Sequence, residues 1–231
     1  LDAIMRVYNL EGRRDNKYKA RIKILVKALG VDVFREKVEA QWQFGKDSQA
    51  TLTEAEVNRC KSFFTSPEYE SLQDEDEAVT TASNSDLLFN NWLDRNVSAH
   101  KQSGYSIVTI CLKGTGAAPG DITDRQMEFV ADLAERYSQS ELRITHEQNL
   151  TLAEVRIKDL YEIYKACKTE SLATPYLGLL NDLVCCPGGD FCSLANAKSI
   201  PIAEAIQRRF DDFDRLNEIG DITLNMSGCM N

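Results

Sequence analysis

Residues 105–112 read Tyr-Ser-Ile-Val-Thr-Ile-Cys-Leu, and this stretch decides the fold. Its β-branched and aromatic content predicts a strand. A turn-rich loop follows from Gly114 to Gly120. Residues 123–137 then place Met127, Val130, Leu133, Ala134 and Tyr137 on one helical stripe, with Thr123 as the cap. Residues 142–145 and 150–155 predict two short strands around the polar turn His146-Glu-Gln-Asn149. Residues 157–167 predict a second helix. Strand, helix, strand, strand, helix is the order of a split βαβ unit that lacks one strand.

Working outward, the unit is expected to be α+β and ferredoxin-like, with other pieces on either side. Upstream, residues 18–29 interleave basic and apolar side chains and read as helix or strand, ended by Gly30. Val31, Phe34, Val38 and Trp42 fall at helical spacing. Residues 43–85 are rich in Ser, Thr, Asp and Glu and are expected to be largely a polar linker, with a helix cap at Thr53. Downstream, a third unit begins near Leu183. It holds a cysteine loop, a helix near 202–213 and a strand over 219–226.

The 231 residues suffice for one large or two small domains. No stretch approaches the ~20 apolar residues of a membrane span, so no membrane partner is expected. A net charge of −9 argues against a general nucleic-acid binder. Within that acidic balance, Arg13, Arg14, Lys17, Lys19, Arg21, Lys23 and Lys27 crowd into one short run. Seven cysteines, with four of them late in the chain, do not form a secreted disulfide framework and suit a reducing cytoplasm.

The late cysteines carry the chemistry. Cys186 and Cys192 flank five residues that include Pro187, Gly188 and Gly189, and Cys229 follows in Ser-Gly-Cys-Met-Asn. Thiolates bind soft metals, and glycines let backbone N–H groups approach a cluster. Zinc is the rival metal, but its structural sites use shorter spacings. Buried free thiols are the plain alternative. Cys185 is expected to point away from its neighbour and to be no ligand. Lys17, Lys19, Arg21 and Lys23 alternate at period two. On a strand they would share one face and could meet a ligand with several carboxylates, and otherwise they form a solvated face. Arg143, Gln148 and Asn149 could hydrogen-bond a ligand at the strand–turn–strand, whereas a lone His146 is more often structural. No residue presents itself as a catalytic acid or base.

Taken together, the Cys-x5-Cys loop, the later Gly-Cys-Met-Asn, the Arg143-Ile-Thr-His-Glu-Gln-Asn-Leu150 strand pair and the Gly12-Arg-Arg-Asp-Asn-Lys-Tyr-Lys-Ala-Arg-Ile-Lys23 run resemble the sirohaem-dependent sulfite and nitrite reductases. The resemblance implies that 1–42 end a first sirohaem-binding domain. It makes 86–170 a ferredoxin-like half-domain and 171–231 the start of a second sirohaem and 4Fe-4S domain, and it leaves the polar linker 43–85 uncovered. Cys186, Cys192 and Cys229 match three of the family's four cluster cysteines, and Asn231 matches a residue near the sirohaem. Lys17, Lys19, Arg21 and Lys23 are expected to face the macrocycle's carboxylates. Both chain ends are expected to be internal to a longer protein, with the fourth cysteine beyond Asn231 and the piece inactive alone. The implied reaction is six-electron reduction of sulfite to sulfide, or alternatively of nitrite to ammonia. The implied partners are a small anion and an electron donor, either ferredoxin or a flavoprotein reductase. The alternative from another class is an iron–sulfur electron-transfer module without catalysis.

Overall fold

The computed structural model describes residues 1–49 and 51–230. The chain divides into two compact units, Leu1–Pro67 and Glu68–Asn231.

The first unit is helical. It comprises α1 (Asp2–Glu11), a 3-10 turn (Lys17–Lys19), α2 (Ile22–Leu29), α3 (Val31–Gly45) and α4 (Glu54–Lys61). α1 packs on α3, and Lys37 on α3 reaches Glu11 at 2.8 Å. The strand that would align the basic run is not formed. The Asn16 side chain accepts from the Tyr18 N–H at 3.0 Å and starts the 3-10 turn. Ile22, Leu25, Val26 and Leu29 then follow helical spacing, and Leu25 is buried. Lys17 and Lys19 therefore lie on the turn, Arg21 directly precedes α2 and Lys23 lies within it. Period two has no shared face here.

The second unit holds a four-stranded antiparallel sheet in the order β1-β2-β4-β3. Its strands are β1 (Val97–Ala99), β2 (Tyr105–Ile110), β3 (Leu142–Ile144) and β4 (Leu150–Arg156). Helices α5 (Glu77–Ser85), α6 (Leu87–Asn96), α7 (Asp124–Tyr137) and α8 (Leu160–Thr169) supply the layer against it. This is the expected ferredoxin-like half-domain, with one twist. The place of the missing strand is taken by β1, which precedes the predicted strand 105–112 in sequence and pairs antiparallel with β2.

Part of the polar stretch 43–85 is core. Val79 and Ala82 of α5 are buried with Phe89 and Trp92 of α6. Asp76 caps α5 through the Val79 N–H at 3.0 Å. Asp86 caps α6 through the Leu88 and Phe89 N–H groups, both at 3.1 Å. At Thr123 a full capping box with Gln126 starts α7.

A register shift between Ser106 and Val108 sets two residues of β4 opposite one of β2. The shift lets Leu152 and Val155, three apart, both enter the core. It also frees the Glu154 N–H, which donates to the Ser138 hydroxyl at 3.2 Å. On the other side of this bulge the Glu154 carboxylate accepts from Tyr69 O–H at 2.9 Å and lies 3.3 Å from His100 Nε2.

After α8 the chain forms β5 (Val184–Cys185), the one-turn α9 (Gly188–Phe191), α10 (Ile200–Arg209), α11 (Phe213–Ile219) and β6 (Asn225–Met226), and β5 and β6 pair in parallel. The expected strand over 219–226 shrinks to two residues. Asp212 caps α11 through the Arg215 N–H at 3.1 Å, and burial of Leu216 draws the segment up to Ile219 into the helix. Among the described residues no helix is long and apolar enough to cross a membrane.

Candidate functional site

Two turns meet at the end of the small parallel sheet. Cys186 leaves β5 with its N–H on Met226 O at 3.1 Å. The Asn196 and Ala197 N–H groups both donate to Gly228 O, at 2.7 and 3.0 Å. Gly228 in turn donates its N–H to Cys186 Sγ at 3.0 Å. Only glycine fits at 228, because a Cβ there would stand 2.6 Å from Ala197 O and 2.8 Å from Gly188 Cα. The loop that carries Cys192 and the turn that carries Cys229 are thus stitched to one another and to the sulfur of Cys186.

Electrostatics separate the two adjacent cysteines. The Ser199 hydroxyl, 3.4 Å from Cys186 Sγ, and the Gly228 N–H hold the Cys186 thiol below its ordinary pKa. Burial pushes the Cys185 thiol up. Cys185 packs with Leu183 and Ala203 in an apolar cluster. Cys192 and Cys229 are half-buried. Around Cys229, Ser227 donates its hydroxyl to Cys229 O at 3.2 Å and accepts the Cys229 N–H at 3.4 Å. Cys111 and Cys167 lie in separate apolar clusters, and Cys60 is exposed on α4 of the first unit.

The donor set fits an iron–sulfur group in chemistry: soft sulfur on glycine turns, with a backbone N–H already aimed at one sulfur. Among the described residues, however, no group of three or more His, Cys, Asp or Glu side chains is arranged to hold a metal ion.

The other expected site residues divide. Gln148 and Asn149 serve the protein's own backbone. Gln148 Nε2 donates to Cys185 O at 2.9 Å, and the Cys185 N–H donates to Gln148 Oε1 at 3.0 Å. Asn149 Oδ1 accepts from the Leu112 N–H at 3.0 Å, and its Nδ2 donates to Asp182 at 2.9 Å. Arg143 is exposed on the edge strand β3 and donates to Glu141 at 2.6 Å. His146 is exposed beside Glu147. Lys17, Lys19 and Lys23 are exposed and Arg21 is half-buried. Asn231 lies outside the described residues.

Sequence reasoning missed Lys113, which is fully buried. Its ammonium donates to Glu147 O at 2.6 Å, Gln148 O at 3.0 Å and Asn149 Oδ1 at 3.0 Å, with Asp182 at 3.5 Å. Burial lowers its pKa, and Asp182 offsets part of that. A lysine just after an apolar strand, before a glycine loop, was the available signal.

A cavity of about 670 Å³ lies beside this region, lined mainly by apolar side chains such as Leu112, Val130, Leu150 and Ile200, with Cys185 and Pro187 at its border. No Arg or Lys is among its described lining residues. It offers no counter-charge to a ligand rich in carboxylates.

Comparison with known proteins gives the class. Residues 99–169 match the nitrite/sulfite reductase ferredoxin-like half domain. Residues 1–46 match the nitrite and sulphite reductase 4Fe-4S domain. Over these two segments the chain is nitrite/sulfite reductase-like. Among its relatives is the chloroplastic ferredoxin–nitrite reductase of Zea mays, 27% identical over 90% of this chain and 32% of that protein. Another is sulfite reductase [ferredoxin] 2 of Mycolicibacterium paratuberculosis, 29% identical over 52% of this chain and 22% of that protein. The Mycobacterium tuberculosis NirA protein shares the fold, with a TM-score of 0.54 at 22% identity, over 94% of this chain and 34% of that one. The chain spans about a third of the length of curated relatives such as the Zea mays protein.

Proposed function

We propose that this chain is part of a sirohaem and 4Fe-4S reductase that carries out the six-electron reduction of sulfite or nitrite. The observation that carries the reading is the Gly228 N–H on Cys186 Sγ, which ties the two cysteine turns together, in a chain with the family's half-domain. When bound, the cluster and sirohaem supply single electrons and the iron at which the anion is reduced.

In this reading Cys186, Cys192 and Cys229 furnish thiolate ligands. The Gly228 N–H withdraws electron density from the Cys186 sulfur. Ser199 holds the Cys186 carbonyl at 2.8 Å and keeps the turn in place. Lys17, Lys19, Arg21 and Lys23 supply positive charge for carboxylates, with Arg143 as a further cation and Asn231 as a neighbour of the macrocycle. Gln148 and Asn149 act from behind, through the backbone. The relatives named ferredoxin–nitrite reductase support ferredoxin as donor. Both substrates stand, because nitrite reductases and a sulfite reductase are among the relatives.

The test is the full-length protein. Its optical spectrum is expected to carry haem-like absorption over a cluster background, and reduced ferredoxin is expected to drive formation of sulfide or ammonia. Assaying both products decides the substrate. A cluster spectrum without haem-like absorption would favour a pure electron-transfer module. Neither chromophore would end the reading.

A further inference from the structure

We propose that Gln148 is a positioning residue for the cysteine strand, setting the backbone at Cys185 and so the direction in which Cys186 presents its sulfur. The inference rests on the cluster reading only for its second half.

Successive residues of a strand direct their N–H and C=O groups to opposite edges. The Val184 and Cys186 N–H groups go to β6, on Leu224 O and Met226 O. The Cys185 peptide groups therefore face the other edge, where β5 has no strand neighbour among the described residues. The primary amide of Gln148 stands there and does what a peptide would. It gives one N–H to Cys185 O and takes one from the Cys185 N–H, at 2.9 and 3.0 Å. A two-residue strand, too short to hold itself, is clamped on both edges.

The clamp is itself held. Gln148 sits at φ +61°, a left-handed conformation that costs a non-glycine residue energy and persists only where its surroundings enforce it. Lys113 enforces it by gripping the carbonyls on either side of the Gln148 nitrogen, Glu147 O and Gln148 O. Gly120 makes room, since a Cβ there would stand 2.9 Å from Gln148 Cβ. A strained residue, a buried ammonium and a glycine all converge on one side chain, and its carboxamide hydrogen-bonds the residue before the proposed ligand cysteine. If the Cys185 peptide rotates, Cys186 Sγ moves away from the Gly228 N–H. Hydrogen bonds to sulfur are among the factors that set cluster potentials.

The experiment compares wild-type full-length protein with Q148A and Q148E. Alanine removes both hydrogen bonds, while glutamate keeps the acceptor and loses the donor. Hydrogen exchange on cluster-free protein is expected to show protection of the 184–186 amides falling about tenfold in Q148A, the worth of a hydrogen bond. Protection over 150–156 should stay as in wild type. Q148E is expected to lie between, and it serves alone if Q148A does not fold. In cluster-loaded protein, both variants should lose iron to a chelator faster and show a shifted cluster midpoint potential. Unchanged protection at 184–186 overturns the clamp, whether or not a cluster binds. Local loss of protection with unchanged chelation and potential overturns its action on the cluster. Wild-type protein that takes up no cluster refutes the proposed function, and the exchange result then still decides the clamp.

Discussion

Leu1–Pro67 buries the apolar side chains of Ala3, Val7 and Leu25, while Trp42, Phe44, Phe63 and Phe64 stay exposed. Glu68–Asn231 buries Phe89, Trp92, Val108, Ile110, Leu152 and Ile163 completely. The first unit is therefore helical mainly through local spacing, with side-chain caps at the 3-10 turn and α4 but not at α1, α2 or α3, and with little tertiary burial to reinforce it. The second is held by a core and by buried polar contacts that reach far along the chain. A side chain in the first unit should matter locally, and one in the second should matter to the whole unit.

The largest test of that contrast is a pair of tryptophans. Trp92→Ala should cost the second unit about 3–5 kcal/mol in denaturant unfolding. Trp42→Ala, at a half-exposed position, should cost less than about 1 kcal/mol. Equal costs would mean the first unit has a core of its own.

Charge gives the next test. Lys113→Met should destabilise by about 3 kcal/mol, because the nearly buried Asp182 loses its cation. Arg59→Ala in the exposed Arg59–Glu56 pair should leave the unfolding midpoint close to that of wild type, because solvent screens the pair. Urea midpoints for the two variants check both.

A third test uses pH. Burial pushes the thiols of Cys111 and Cys167 up from 9.0 to about 12. The unfolded chain therefore releases these protons first as pH rises. The stability they provide is fully present below pH 9.0, and it is lost progressively toward about 12. Cys111→Ala and Cys167→Ala should each flatten the decline by up to one proton's slope, read from urea midpoints across alkaline pH. An unchanged slope in both would contradict their burial as neutral thiols.

The smallest effect is at the caps. Thr123→Ala breaks a capping box on a helix with four buried residues and should cost about 1 kcal/mol of the second unit's stability. Thr53→Ala frees the N-terminus of α4, which buries nothing. It should show as local fraying by hydrogen exchange, worth a few tenths of a kcal/mol in unfolding.

Legibility followed the range of the forces. Strands 105–110 and 150–156, the Thr123 cap and the stripe of α7 are local patterns, and they could be read directly. The substitution of β1 for the missing strand could not, because Val97–Ala99 is three residues long and gains its place only by pairing with β2. Helix α5 hid in Ser- and Thr-rich composition, though Asp76 and Asp86 bracket it as caps. The basic run misled because alternation at period two has meaning only on a strand, and Asn16 turns the chain before one can form. The cysteine turns announced themselves by residue type. Gln148 was legible as a polar residue at a turn, but its partner stands 37 residues away, and nothing local distinguishes a ligand contact from a backbone clamp.

In the proposed reductase the Cys186 sulfur, and not that of its neighbour, ligates an iron–sulfur cluster. The direct measurement is iron and acid-labile sulfide content, with the reduced-state EPR signal, in anaerobically isolated full-length protein carrying Cys186→Ala or Cys185→Ala. The account predicts about four irons and four sulfides per chain in wild type and in Cys185→Ala, and loss of the cluster in Cys186→Ala. A full, wild-type-like cluster in Cys186→Ala, or a cluster lost only in Cys185→Ala, would contradict it.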